Sequence, residues 1–485
     1  MEILMKKRIV ATALTVLLMA SITSCSNDGT LEDTSDVGST ADTEVSVLPA
    51  GIEKCNYGGK EIKFLAIDWG LYKNYFFAED NKGDTMNQEI YKRRLLVEDH
   101  LGVSLTHEYV VSQPEMTTLL QSAVMSGDDD FQVLLGHCIR NISTQLTSDL
   151  LLDLNTVDAI NFDEEWWNGS AIEALSTKNK QYYAIGDFMI PDPNAILFNK
   201  QLIDEHELED PYALVRGGEW TIDKMMEMAS HVTLDNGDSV WDTNDTYGFS
   251  TPDNWFLSSF IYSSGMTLTE VNDEGEFEFA FGSEKAYTLM EKLESILTSP
   301  DTIIHSYTKE MLDKDVVDIS TGRCLFYVTS LNRLNLLRDS TVEYGILPYP
   351  KLDAEQDGYY NNDWSGLMCV PVTVKDPEMV GKAIELLNYY SAETTVPAYY
   401  DLVLGEKLSR DEDSKEMLEI IFDGVVFDAG MNYLGFESNM NMLFYTPEFM
   451  VNGKSYGGFS SWLAKYETGA RNEITAFNEA VAALD

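Results

Sequence analysis

Close cysteine pairs are missing from this sequence. Cys25, Cys55, Cys138, Cys324 and Cys369 stand singly along 485 residues, so neither a CxxC redox motif nor a zinc ribbon can be built from neighbours. Histidine is also sparse: His100, His107, His137, His206, His231 and His305 include no HExxH or other close pair. No GxSxG elbow, P-loop or internal repeat is present. Positive charge is scarce, with 33 Lys and Arg against 81 Asp and Glu, a net charge of −48. Such a field repels phosphate backbones and anionic headgroups, which excludes nucleic acid and direct headgroup binding. Past residue 22 no apolar run is long enough to cross a bilayer as a helix. What the chain does have is 44% hydrophobic and 11% aromatic residues, enough for cores in two or more domains.

The N-terminus is a different kind of sequence. Lys6, Lys7 and Arg8 precede an apolar run from Ile9 to Ile22, the layout of a signal peptide and too short to span a bilayer. The run stops at Ile22-Thr23-Ser24-Cys25, which resembles the lipobox of bacterial lipoproteins. That resemblance implies cleavage before Cys25 and diacylglyceryl modification of its thiol, two acyl chains being enough for stable anchoring. A plain secretory signal with a chance cysteine is the bland alternative. Ser26 to Gly51 then holds six acids and no Lys or Arg, with too little apolar content to pack. It reads as a flexible tether that holds a globular body outside the membrane. The four remaining cysteines are expected as mostly free, buried thiols.

The body alternates. "KEIKFLAI" reads as a strand buried on both faces, and a helix is expected from about Thr85 to Leu101. "VSLTHEYV" is a second strand. "QPEMTTLLQSAVMS" is a helix with Met116, Leu119, Leu120 and Val124 on one face and Gly127 as its C-cap, and "FQVLLGH" is a third strand. This order predicts an α/β domain with a parallel sheet. Tyr182–Ile185 and Ala195–Asn199 are extended segments separated by Pro191 and Pro193, a pattern suited to a crossing between domains. In "GGEWTIDKMMEMASHV", Thr221 is the expected N-cap and Trp220 the expected staple onto Met225. "CLFYVTS" is strand-like, "YGILPYPKL" reads as a turn region, and Asp376-Pro377 opens another helix. Ser460 to Leu484 reads as a final amphipathic helix.

Several of these segments, in this order and behind a lipobox, resemble the extracellular solute-binding proteins of ABC importers, family 1, which are mostly carbohydrate receptors. They are "YYAIGDFMIPDPNAILFNKQLI" around Phe198-Asn199-Lys200, "GEWTIDKMMEMA", the polar loop ending in Tyr-Gly-Phe, "ILPYPKL" and "PEMVGKAIELLNYYSAET". The resemblance spans nearly all of the mature chain. It implies an α/β, two-lobed periplasmic-binding-protein-like (type II) fold, with hinges at Gly186 to Asn194 and Pro348 to Pro350. On that mapping, residues 1–24 are the signal peptide and 25–55 the tether. Lobe 1 takes 56–188 and 350–395, and lobe 2 takes 189–349 and 396–485. Further implications are a monomer that does no chemistry, uses no cofactor or metal and delivers its solute to the permease subunits of an ABC importer.

A sugar presents CH faces and hydroxyl edges, so its receptor needs aromatic platforms beside amides and carboxylates. Candidates are aromatics next to polar residues on loops at strand ends. They are Asp68, Trp69 and Tyr72 after the first strand, His137 at the end of the third and Asn194 in the first hinge. Asn254 and Trp255 follow the Tyr-Gly-Phe element, and Asn362, Asp363 and Trp364 lie past the second hinge. Glu437 and Asn439 in "GFESNMN" complete the set. Core packing is the commonest fate of a tryptophan, and it is the expectation for Trp166, Trp167, Trp220, Trp241 and Trp462. The acidic loop Asp235 to Asp245 is spaced a little like a calcium loop, but its glycine comes early and no Glu stands twelfth, so a solvated loop is preferred. Two other classes stay open. A glycoside hydrolase would need two carboxylates across a cleft, and a starch-utilisation-type surface lipoprotein would be built from helical repeats.

Overall fold

The run Ile62–Ile67 has alternate side chains on opposite faces, and nearly all are apolar, so a strand made from it must be covered on both sides. In the computed structural model it is β1 (Lys60–Ile67), with Ile62, Phe64, Leu65, Ala66 and Ile67 all buried. Residues 48–68, 76–137, 142–252, 255–305, 318–337, 340–408, 411–435, 438–452 and 456–484 are described. The lipobox Cys25, the tether up to residue 47, Trp69, Tyr72, Cys138, Asn254 and Glu437 lie outside them.

After β1 come helix α1 (Thr85–Leu101), β2 (Val103–Val110), α2 (Gln113–Ser126) and β3 (Val133–His137). Asp84 caps α1 by accepting from Asn87 N–H, and Gly127 ends α2 in the left-handed region with φ +69°. The expected apolar face of α2 needs one correction. Met116 and Leu120 are buried, whereas Leu119 faces solvent, because the face against the sheet is completed by Ala123 instead. β1 pairs in parallel with both β2 and β3, as the alternation predicts.

The chain then leaves this sheet. Tyr182–Ile185 is extended but forms no ladder, only an isolated bridge from Ala184 to Met368. Beyond it the chain enters a second sheet through β4 (Asn194–Asn199). That sheet also contains β5 (Tyr247–Thr251), β8 (Thr302–Ile304), β9 (Cys324–Ser330) and β10 (Tyr344–Leu347) in the order β10-β4-β9-β5-β8. The segment read as a turn around Tyr344 is therefore an edge strand, antiparallel to β4, and the turn begins only at Pro348. Between β4 and β5 lies α3 (Ile222–Ser230), capped by Thr221. After β5 come α4 (Trp255–Ser263) and a hairpin of β6 (Thr269–Val271) and β7 (Phe277–Phe279).

From β10 the chain returns through β11 (Asn361–Asn362) to β12 (Gly366–Cys369), which closes the first sheet in the order β12-β3-β1-β2. α5 (Pro377–Glu393) follows and lies against α1, with Asp376 as cap and Pro377 in its first turn. β13 (Val425–Val426) pairs with β11, and α6 (Asn439–Phe444) leads to the long terminal α7 (Phe459–Ala482). Two crossings, Gly186 to Pro193 and Pro348 to Ser365, thus connect the two sheets.

The first crossing is gripped by one face of α5. Asn388 Oδ1 accepts Phe188 N–H at 3.0 Å. The buried Arg93 of α1 donates to the Phe188 carbonyl at 3.2 Å, the Phe76 carbonyl at 2.8 Å, Ser391 Oγ at 3.0 Å and Thr395 Oγ1 at 3.2 Å. One turn before Asn388, Glu385 accepts the indole N–H groups of Trp166 at 2.8 Å and Trp167 at 3.0 Å. Trp166 in turn accepts Asp187 N–H through its carbonyl, so this clamp reaches the crossing itself. At Gly186 a Cβ would lie 2.4 Å from Asn388 Oδ1, which leaves glycine as the residue that fits. The second crossing is held by Trp220, fully buried, whose Nε1–H donates to the Pro348 carbonyl at 2.9 Å. Trp220 packs on Phe326 at 5.1 Å, the core role expected of it.

Candidate functional site

Two of the candidate tryptophans are joined through an aromatic row beside the crossings. Trp255 opens α4 and Trp364 follows β11, and both are half-buried. A row of rings joins them: Trp255 to Tyr445 at 6.2 Å, Tyr445 to Phe444 at 4.7 Å, and Phe444 to Trp364 at 6.3 Å between centroids. Phe444 and Tyr445 are buried and support the row, and Tyr262 joins Phe444 at 6.0 Å. Such spacings are those of favourable aromatic pairs, so the two half-exposed indoles sit on a stiff support.

Amides converge beside this row. Asn194, at the start of β4, donates through Nδ2 to Ser259 Oγ at 2.8 Å and to Asn362 Oδ1 at 3.1 Å. That uses both amide hydrogens of Asn194 but leaves its Oδ1, and the Nδ2 of Asn362, buried without a hydrogen-bond partner. A buried polar atom left unpaired costs about 1–3 kcal/mol, and both side chains are fully buried in this structure. Asp363 accepts Asp192 N–H at 2.7 Å, Ser365 N–H at 2.8 Å and Ser365 Oγ–H at 2.7 Å. Burial raises its carboxyl above the usual range.

Asp68 is exposed at the end of β1, its N–H donating to the Val110 carbonyl. His137 is buried at the end of β3, opposite Gly366 of β12, with its N–H on Gln113 Oε1 at 3.0 Å. Asn439 opens α6. Its side-chain amide and backbone N–H both donate to Glu473 Oε1 of α7, at 2.6 and 2.9 Å, which docks α6 on the terminal helix. In the acidic loop, Asp235, Asp238, Asp242 and Asp245 accept backbone N–H groups of the loop itself. Of the tryptophans expected in the core, Trp166, Trp167 and Trp462 are buried, but Trp241 is 52% exposed, packed by one face on Tyr247.

Sequence reasoning missed Phe444, Tyr445, Ser259 and Asp192. The aromatic pair in "MLFYT" lies a few residues past the chosen Asn439, and the prolines flanking Asp192 drew attention from the acid between them. Elsewhere, a groove of about 550 Å³ runs between the β6–β7 hairpin and α7, lined by Phe277, Phe279, Arg471, Ile474 and Asn478 among others. It shares no residue with the aromatic row. Asn478 also pairs its amide with both backbone groups of Phe277 there. Burial, aromatic support and unpaired amides make the crossings the candidate site.

No protein-family model matches the sequence, and no curated protein sequence does. Solved structures do match. The galacto-N-biose-/lacto-N-biose I-binding protein of an ABC transporter from Bifidobacterium longum, in complex with lacto-N-biose, is 12% identical, covers 87% of this chain and 98% of its own, and has a TM-score of 0.57. An ABC substrate-binding protein from Listeria monocytogenes in complex with cycloalternan is 13% identical over 87% of this chain and 99% of its own, TM-score 0.53. The GacH receptor of Streptomyces glaucescens, solved unliganded and with acarbose, is 12% identical over 88% and 98%, TM-score 0.52. At such identity the likeness concerns architecture, and it assigns this chain the two-lobed α/β fold of ABC-transporter sugar-binding proteins.

Proposed function

We propose that this protein is a membrane-tethered receptor of an ABC importer that clamps a neutral sugar or oligosaccharide between two lobes and delivers it to the permease. The observation that carries the reading is the row from Trp255 to Trp364 beside Asn194 and Asn362, set on the two crossings. Indole faces accept the CH face of a pyranose, and amides exchange hydrogen bonds with its hydroxyls. The fold shared with sugar-binding proteins supports the same class of ligand.

In this reading lobe 1 is residues 56–188 with 350–395 and lobe 2 is 189–349 with 396–485. Cys25 bears the lipid anchor outside the cytoplasmic membrane, and the protein works as a monomer. Asp68 and His137 on lobe 1 and Asp363 at the second crossing are proposed as further polar contacts, and Trp69, Tyr72, Asn254 and Glu437 stay candidates that lie outside the described residues. Closure is coupled to the solute because both lobes touch it only when shut. The receptor itself is no enzyme. A thermal-shift screen of purified protein against mono-, di- and oligosaccharides and short peptides tests this, since a ligand at 100 times its Kd stabilises by about 2.7 kcal/mol. A midpoint rise with a sugar supports the reading. A response to peptides alone, or new reducing ends released from oligosaccharides, sinks it.

A further inference from the structure

Asp428 stands outside the candidate set, yet its buried carboxylate fastens several segments together. Oδ1 accepts Thr269 N–H at 3.1 Å, Thr269 Oγ1–H at 2.5 Å and Gly430 N–H at 2.9 Å. Oδ2 accepts Leu268 N–H at 2.7 Å and the Tyr262 hydroxyl at 3.0 Å. Asp428 thereby ties its own turn of helix, Ala429–Asn432, to the start of β6 and to the last turn of α4. The approach is close. A Cβ on Gly430 would lie 2.7 Å from the Leu268 Cβ, which leaves glycine as the residue that fits. Two carboxylate oxygens offer about four lone-pair sites, so these donors use the whole capacity of the side chain.

The bond from Tyr262 leads to the aromatic row. Tyr262 is fully buried, its ring lies 6.0 Å from Phe444, and Phe444 lies 6.3 Å from Trp364. Among the described residues Phe444 is the ring that supports the Trp364 indole, so its placement bears directly on where that indole lies. The backbone of α4 is held by other means. Tyr349 Oη–H donates to the Phe256 carbonyl at 3.1 Å and Gln356 Nε2–H to the Ser263 carbonyl at 2.7 Å, both from the second crossing. What Asp428 adds is the position of the Tyr262 side chain on a helix already fixed. A hydrogen bond at the far end of the phenol restrains both of its side-chain torsions.

We propose that Tyr262 and Asp428 are positioning residues of the aromatic platform: their hydroxyl-to-carboxylate bond holds the Tyr262 ring against Phe444 and so sets the plane that Trp364 offers to a sugar. Both are buried and act through Phe444, without touching the ligand. The role in binding rests on the receptor reading above, whereas the placement of Trp364 does not.

Fluorine NMR of the purified, unliganded protein grown with 5-fluorotryptophan tests that placement, the Trp364 resonance being identified with Trp364→Phe. Tyr262→Phe keeps the ring and deletes the hydroxyl. It should shift or broaden the Trp364 resonance and leave that of Trp220, on the Pro348 carbonyl, unchanged. Tyr183→Phe is the control: it too deletes a buried hydroxyl, bonded to the Ile142 carbonyl at 3.0 Å and Gln145 Oε1 at 2.8 Å, but its ring packs on Tyr433 rather than on the row. The control should lower the melting point and leave Trp364 unmoved. Asp428→Asn serves if Tyr262→Phe does not fold, and failure of both to fold makes the pair structural and overturns the proposal. An unmoved Trp364 resonance overturns it as well, and so does an equal shift in Tyr183→Phe. With a sugar that raises the midpoint in the thermal screen, calorimetry should show about fivefold weaker binding for Tyr262→Phe, and no further loss when that change is added to Trp364→Ala. Additive losses refute the route through Trp364. Where no sugar binds, the receptor reading fails and the fluorine result still decides the placement.

Discussion

Glu385 makes acid stabilise this protein over a range where most carboxylates do the reverse. Its side chain, 1% exposed on α5, accepts from the indoles of Trp166 and Trp167 and from the backbone N–H of Asn161. These three donors favour the anion. Burial opposes them and wins, pushing the carboxyl up from 4.5 to about 7, with Glu164 adding like charge. A group with a raised folded-state pKa binds its proton more tightly when folded. Its contribution is complete below the unfolded value of 4.5 and is lost as pH rises through about 7. The gap of about 2.5 pH units corresponds to about 3 kcal/mol of unfolding free energy.

Replacing Glu385 with Gln removes the titration and leaves one amide N–H facing an indole N–H, a penalty that does not vary with pH. Urea unfolding followed by tryptophan fluorescence from pH 4.5 to 8 should therefore show a difference between wild type and E385Q that shifts by about 3 kcal/mol against the wild type across the range. Asp192 titrates lower and is present in both proteins, so it cancels in the comparison. Parallel pH profiles would mean that the carboxyl is solvated and that the Trp166–Trp167 clamp is not buried as described.

Other expectations follow from single contacts. Trp364→Ala should weaken sugar binding at least tenfold in calorimetry while costing little stability, because the indole is only half-buried; a melting-point loss with unchanged affinity would place it in the core. Arg93→Met strands the carbonyls of Phe76 and Phe188, and should cost about 3–5 kcal/mol in urea unfolding; a change below about 1 kcal/mol would show that water reaches them. Gly186→Ala pushes a methyl into Asn388 and should cost about 1–3 kcal/mol by the same measurement. Trp220→Phe leaves the Pro348 carbonyl unpaired at the second crossing, and its expected loss of about 1–3 kcal/mol should vanish if that carbonyl hydrates instead.

Local pattern was legible where the chemistry is local. The doubly buried run 62–67, the cap at Thr221, the left-handed Gly127 and the Asp376-Pro377 start all depend on residues within a few positions of each other, and each has the form read from the sequence. Leu119 and Tyr344 were misread because burial there is decided by a neighbouring element: the sheet under α2 in one case, β4 in the other. Trp241 was misplaced for the same reason, its ring being left about half exposed at 52%.

At the candidate site the division is sharper. The amino-acid order placed Trp255, Asn194, Asn362, Asp363 and Trp364 at the ends of elements or between them. Their meeting needed the fold. Asn194 and Asn362 are 168 positions apart, and Phe444 and Tyr445 bridge Trp364 to Trp255 across three separate segments. The same holds for Asp192 and Asp363, 171 positions apart, whose shared burial sets their proton affinity. Propensity and capping act over a turn or two of chain, whereas proximity between distant segments, and the desolvation it brings, exists only once the two crossings have packed.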